Sequence, residues 1–553
     1  MKLLSKILFL SAICINAIVA TAQNKTTTTP TSPSKPKLVI GIVVDQMRWD
    51  YLYRYSEKYS AGGFKRLLKD GYSCENTHIN YSPTYTACGH ACIYTGSVPT
   101  VHGITGNDWY SYTEDSAVYC VRDNRYNTVG STSFITGKVS PRNLLTTTIT
   151  DELKLATNFK SKTIGIALKD RSSVLPAGHK ADAAYFYDGS SGNWVTSSYY
   201  MNQLPAWVFQ YNAKKYADSL LAKAWSPLLS PLSAYTESEE DFQVYEDVLE
   251  KEKSPVFIHR VDTLTKPVSK ILPYTPFGNT LTLDFAKAAI SNENLGTKDV
   301  TDFLAVSLSS TDIVGHKFGP NSIEVEDCYM RLDKDLEKFF TFLDTRLGKG
   351  NYLLFLTADH GAAHIPDFMK KNKMPAGVFP LDQIDSLLEA AIETKFSADS
   401  LILGFENMQM YLDNERIAKK NINRAELKTF IKNFSMQFDG VAKVLDMENL
   451  SNELMDAEMK QAIANGYYPE RSGDLYLLLE PSWFEQMKKG TTHGTIYPYD
   501  THIPLVWMGW NIKHAEDHAD IHMTDIAPTL AALLHIQEPS GCTGKVIEGI
   551  FKK

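Results

Sequence analysis

The sequence predicts an α/β fold: a mostly parallel central sheet sandwiched by helices and interrupted by two inserted cap regions. Three observations predict it. Runs of consecutive apolar residues rich in Val and Ile recur along the chain, as expected of strands buried on both faces. Segments with a 3.6-residue apolar period alternate with them. Four of the runs end in polar or charged residues, and ligands of a parallel sheet bind at the carboxyl ends of its strands.

The first 22 residues read as a secretory signal peptide. Lys2 and Lys6 precede an apolar stretch over 7–19, and Ala20-Thr21-Ala22 is a small-residue cleavage site. Residues 23–37, rich in Thr, Pro, Ser and Lys, read as a disordered linker. The formal net charge is −8, and becomes −10 when Lys2 and Lys6 leave with the leader. An acidic exported chain is not built to bind nucleic acid or anionic lipid, so attraction for an anion must be local. No later apolar run is long enough to span a membrane. Cys74, Cys88, Cys92, Cys120, Cys328 and Cys542 allow fifteen pairings, and spacing selects none.

The core then divides into three parts. In the first, 38–182, the strand at Leu38–Val44 ends in Asp45, and one at 163–168 ends in Lys169-Asp170-Arg171. Residues 183–278, aromatic and turn-rich from Tyr185-Phe186-Tyr187 onward, read as the first insertion. The second part, 279–363, holds a strand at 303–308 ending in Asp312 and an amphipathic helix at about 324–346. A strand at Tyr352–Thr357 follows, ending in Asp359-His360. Residues 364–489, with helices at 381–394 and 424–434 and a strand at 475–479, read as the second insertion. The last part, 490–553, carries His493, a strand at 505–508 and a closing helix at 523–534.

One stretch, Ser82-Pro83-Thr84-Tyr85-Thr86-Ala87-Cys88-Gly89-His90, leads from a loop into a small-residue helix. Free backbone N–H groups and the helix dipole favour an anion there, which makes Thr86 a candidate nucleophile. Alone, Thr84 or Thr86 reads more readily as an N-cap. Asp45, Asp312, His316, Asp359, His360 and His493 are the candidate metal ligands. Mixed carboxylate and imidazole donors suit Zn²⁺, and six are too many for one tetrahedral ion but about right for two. Gly315 and Gly319-Pro320 predict a loop around Asp312 and His316. Lys169 and Arg171 are expected to share one side of an extended segment and to suit a phosphoryl dianion. His364 and His502 are expected to be supporting or structural, and His514, His518 and His522 to lie on the surface.

With these residues in place the chain resembles the alkaline phosphatase superfamily. It looks most similar to the exported, phosphate-insensitive bacterial alkaline phosphatases of the PafA type. The resemblance rests on Val44-Asp45-Gln46-Met47-Arg48, Pro83 to His90, Tyr94-Thr95-Gly96, His102 to Asn107, Lys169-Asp170-Arg171, Asp312 to His316, Thr357 to Gly361, Thr492-His493-Gly494 and Thr524 to Thr529. It implies Thr86 as nucleophile, Asp312, His316 and His493 as ligands of one zinc, and Asp45, Asp359 and His360 as ligands of the other, which also touches Thr86. It further implies that Asn107, Lys169 and Arg171 hold the non-bridging phosphoryl oxygens. The expected activity is hydrolysis of small-molecule phosphate monoesters through a phosphothreonine, by an exported enzyme, periplasmic ahead of secreted, with a monomer favoured. A nucleotide pyrophosphatase/phosphodiesterase of the same superfamily is the alternative, and a non-catalytic phosphate- or glycan-binding surface protein the second. Sulfatases are set aside because Cys88 lacks the C-x-P-x-R context.

Overall fold

A computed structural model describes residues 34–264, 268–485, 487 and 489–552. The expected signal peptide and most of the expected linker lie outside the described residues. The linker's last residues are tied to the core: Lys37 N–H donates to Asn351 O, and Pro36 O accepts from the Thr301 hydroxyl.

A ten-stranded sheet forms the centre. Its parallel middle runs Tyr352–Thr357, Leu38–Val44, Asp302–Leu308, Thr163–Ala167 and Ala183–Asp188. These strands are buried throughout, as their unbroken apolar runs require. Leu505–Gly509 extends the sheet antiparallel to Tyr352–Thr357. The Leu38–Val44 strand has a parallel neighbour on each side in full register, so the loops after all three open at one edge. That common edge is what gathers Asp45, Asp312, Asp359 and His360.

The long helix spans Ile323–Leu347 and starts at Ser322, whose hydroxyl accepts from Val325 N–H. Val325, Cys328, Tyr329, Leu332, Leu336, Phe339, Phe340 and Leu343 are all buried, as their period predicts. Its acidic side is covered as well. Asp327 accepts hydrogen bonds from Trp225 Nε1, Leu228 N and Tyr235 Oη, all in the first insertion.

The first insertion begins later than expected. Ala183–Asp188 and Asn193–Ser197 belong to the central sheet, so the chain departs from it only after Ser197. The aromatic run that suggested a cap is a buried strand, and Trp194 stacks on Phe285 with centroids 4.4 Å apart. The second insertion has its own antiparallel sheet, ordered Ile402–Glu406, Gln409–Leu412, Leu475–Leu479, Val441–Asp446. Helices Leu381–Phe396 and Arg424–Ser435 enclose a separate apolar core with it. The six cysteines among the described residues are free thiols, five of them buried.

Candidate active site

Asp45 follows the Leu38–Val44 strand directly, and Asp359-His360 follow Tyr352–Thr357 by one residue. Asp312 and His316 stand on a helix, Ser310–Phe318, where a loop was expected. Gly315 reads as a breaker in sequence, but its missing side chain has a packing reason: a Cβ there would lie 2.0 Å from Gln46 Oε1. The same glutamine donates from Nε2 to Asp312 Oδ1 at 2.9 Å and from its backbone to Asp359 Oδ1 at 3.2 Å. On the helix, Asp312 and His316 are one turn apart, and His316 Nε2 reaches Asp312 Oδ1 at 3.1 Å.

His493 comes from the loop after the second insertion. Its ring stacks on His360 with centroids 3.4 Å apart, and Nε2 lies 3.7 Å from Asp312 Oδ1. His360 Nε2 is 3.5 Å from both Asp45 Oδ1 and Asp359 Oδ2. Two trios, Asp312/His360/His493 and Asp45/Asp359/His360, each offer ligand atoms within 4.8 Å of one another.

The donors fit metal ions on four further grounds. Nδ1 of His316, His360 and His493 faces the carbonyl of Thr491, Gly361 and Thr84, at 2.8, 3.0 and 2.7 Å. A carbonyl only accepts, so each Nδ1 carries a proton and each Nε2 faces the cluster, the orientation that second-shell partners give metal-bound histidines. Burial, with the neighbouring imidazoles His360 and His316, holds His493 well below the usual histidine range, and burial also lowers His360. Asp45 Oδ1 and Asp359 Oδ2 are buried without a hydrogen-bond partner. Burial and the Asp359 charge push the Asp45 carboxyl well above the usual carboxylate range despite Lys169. A bound cation would draw the Asp45 carboxyl back down and give the orphaned oxygens and the neutral imidazoles a partner.

Thr86 is the first residue of the helix Thr86–Thr95, whose N-cap is Tyr85. It is therefore not a cap, and its Oγ1 lies 3.4 Å from His360 Nε2. His90, one turn on, places Nδ1 2.8 Å from Thr86 O and 3.3 Å from Asp359 Oδ2, with Nε2 2.9 Å from Ser307 Oγ. It pins the Thr86 helix to two strand ends and does not face Thr86 Oγ1. Gly89 allows this close approach, since a Cβ would fall 2.4 Å from Asp359 O. Gly89→Ala is expected to cost about 1–3 kcal/mol, read as a lower Tm; an unchanged Tm would contradict the packing.

Asn107 Oδ1 accepts from Ala87 N–H at 3.0 Å, which fixes its amide beside the helix start with Nδ2 left to donate. Lys169 Nζ bridges Asp45 Oδ2 at 2.7 Å and Asp312 Oδ2 at 2.6 Å. Arg171 departs from expectation. It opens the helix Arg171–Ala177, where Asp170 Oδ1 accepts its backbone N–H at 2.7 Å, so Lys169 and Arg171 do not share one side of an extended segment. Arg171 Nη1 instead meets Tyr119 Oη at 3.3 Å.

Access runs past His316, whose side chain is 31% exposed, whereas the other five candidate ligands are at most 5% exposed. His364 bonds Asn321 Oδ1, and His502 lies stacked between Trp49 and His78, so neither joins the cluster. Gln46, His90 and Tyr119 were given no role in sequence, although Gln46 and His90 stand inside the quoted motifs at Val44–Arg48 and Pro83–His90.

Residues 39–511 match the sequence profile of the type I phosphodiesterase / nucleotide pyrophosphatase family. The chain is 48% identical over 523 residues to the alkaline phosphatase PhoV of Synechococcus elongatus, covering 95% of this chain and 94% of that one. It is 49% identical over 519 residues to a Myroides odoratus protein named a calcium-transporting ATPase, covering 93% and 94%. Its fold follows the crystal structure of wild-type alkaline phosphatase PafA with a TM-score of 0.90 and 47% identity, covering 94% and 99%.

Proposed function

The chain belongs to the type I phosphodiesterase / nucleotide pyrophosphatase family of the alkaline phosphatase superfamily, and we propose that it is an alkaline phosphatase hydrolysing small phosphate monoesters through a phosphothreonine on Thr86. The observation that carries the reading is the position of Thr86 Oγ1: at a helix start, 3.4 Å from His360 Nε2 and beside both donor trios. The proposed cofactor is two Zn²⁺. Asp312, His316 and His493 would hold one; Asp45, Asp359 and His360, with Thr86, would hold the other. Bound zinc supplies Lewis-acid charge that acidifies the threonine hydroxyl and stabilises developing oxyanions.

The chain's own residues do the remainder. Thr86 attacks phosphorus and the ester oxygen leaves with its electron pair; water then displaces Thr86 from phosphorus and frees phosphate. Asn107 Nδ2, Arg171 and Lys169 bind the non-bridging oxygens. Lys169 also offsets part of the charge on Asp45 and Asp312, which weakens the repulsion between the buried carboxylates and a dianion. We further propose export to the periplasm after removal of residues 1–22, to be read from the N-terminus of the purified protein.

The family profile's own description favours phosphodiesters as a second reading. A cationic pair gains more from a monoester dianion than from a diester monoanion. Lys169→Ala/Arg171→Ala is therefore expected to lower monoester kcat/KM by on the order of 10³-fold, at roughly 2 kcal/mol per charge-assisted contact. The diester loss should be far smaller; equal losses would favour the phosphodiesterase. As for the calcium-transporting name, ATP hydrolysis is a phosphoryl transfer these residues would serve. Among the described residues no helix is long and apolar enough to cross a membrane.

A further inference from the structure

Arg171 owes its place to a residue far from it in sequence. The hairpin Asp108–Ser111/Ser116–Tyr119 begins directly after Asn107 and ends at Tyr119, opposite Asp108. Its base is closed by Cys120 N–H donating to Asn107 O at 2.8 Å. Tyr119 Oη donates to Asp170 Oδ1 and accepts from Arg171 Nη1 at 3.3 Å. A phenol has one proton, so donating to the carboxylate leaves its lone pair for the guanidinium. Arg171 Nε is buried without a partner. A buried unpaired donor is costly unless a ligand satisfies it, and Nε with one Nη is the edge that meets two oxygens of a phosphoryl group.

One apolar cluster underlies this arrangement. Trp109, Cys120 and Val121 of the hairpin base pack with Ala87 and Ala91 of the Thr86 helix, and with Val174 and Leu175 of the helix that Arg171 opens. The hairpin base thus joins the backbone of Asn107 to the side chain of Arg171 on the support that carries Thr86.

We propose that Tyr119 is a positioning residue for Arg171, and that the base of its hairpin sets the distance between two of the phosphoryl-binding side chains, Asn107 and Arg171. The phenol also keeps Asp170 from pairing directly with the guanidinium, which leaves the arginine's charge for the substrate. Asp170 is held twice already, by Tyr119 Oη and by Arg171 N–H. This inference rests on the reading that Arg171 contacts the phosphoryl group.

The test is a double-mutant cycle on the zinc-loaded enzyme with p-nitrophenyl phosphate and bis-p-nitrophenyl phosphate, with inorganic phosphate as competing ligand and zinc content measured for every variant. Tyr119→Phe is expected to lower monoester kcat/KM about tenfold, the size of one hydrogen bond to a charged group. Phosphate should bind correspondingly more weakly, the diester rate should fall far less, and zinc content should stay unchanged. In an Arg171→Ala background Tyr119→Phe should add nothing, because both act through one contact. Equal monoester and diester losses, or additive losses in the cycle, would overturn the proposal. If Arg171→Ala alone shows no monoester-selective loss, the reading of Arg171 fails instead. Should Tyr119→Phe not fold, Asp170→Asn carries the same test. It keeps an acceptor for the helix start while loosening the phenol, and a smaller loss is expected, again monoester-selective and again absent in the Arg171→Ala background.

Discussion

Thr86→Ala is expected to lower phosphate-monoester turnover by a factor on the order of 10⁴ or more, with metal content and Tm close to those of the parent. The size follows from chemistry: without the hydroxyl no covalent intermediate forms, and only electrostatic stabilisation by the remaining groups is left. The sparing of the fold follows from structure. Thr86 is the first helical residue, so its side chain caps nothing, and its Oγ1 makes one long contact, to His360. The helix keeps its anchors through His90, Gly89 and the Ala87–Asn107 bond. Parent-like turnover in Thr86→Ala would remove the nucleophile assignment.

Metal removal is the second large effect. Stripping the ions with a chelator is expected to abolish activity and lower the Tm, and Zn²⁺ is expected to restore both. The physical reason is the charge gathered at one sheet edge. Asp45, Asp312 and Asp359 are buried together, and a single ammonium, Lys169, is bonded to two of them. The burial that pushes Asp45 upward, with Asp359 adding to it, is a cost of the folded state that bound cations offset. Asp359→Asn should lose metal and activity together. Full activity with fewer than two ions per chain would contradict the two-zinc scheme.

Much of this was legible in sequence because strand ends are local. Asp45, Asp312, Asp359 and His360 follow buried runs closely, and parallel register then brings them together without further information. The long helix was legible for a similar reason, its apolar period being strict. What escaped was set by contacts across the fold. Gly315 looks like a helix breaker until Gln46 is seen filling the space beside it. Tyr185-Phe186-Tyr187 looks like a cap surface until Ala183–Asp188 is seen inside the sheet. The Lys169/Arg171 pair looked extended because Asp170 read as the end of a strand rather than as the N-cap it forms, and the partner that holds Arg171 lies 52 residues away. His316 and His493 sit between these cases. Their residue types were informative, but their facing across the site depends on the Thr491 and Thr84 carbonyls that turn each ring.

The central claim is that phosphate passes through Thr86 itself. The direct measurement is an acid quench of the zinc-loaded enzyme during turnover of a phosphate monoester, followed by peptide mapping by mass spectrometry. The account predicts one added phosphoryl group on the peptide carrying Thr86, absent in Thr86→Ala. Phosphate on a different residue, or turnover at the parent rate with no phosphopeptide at quench times shorter than one cycle, would contradict it.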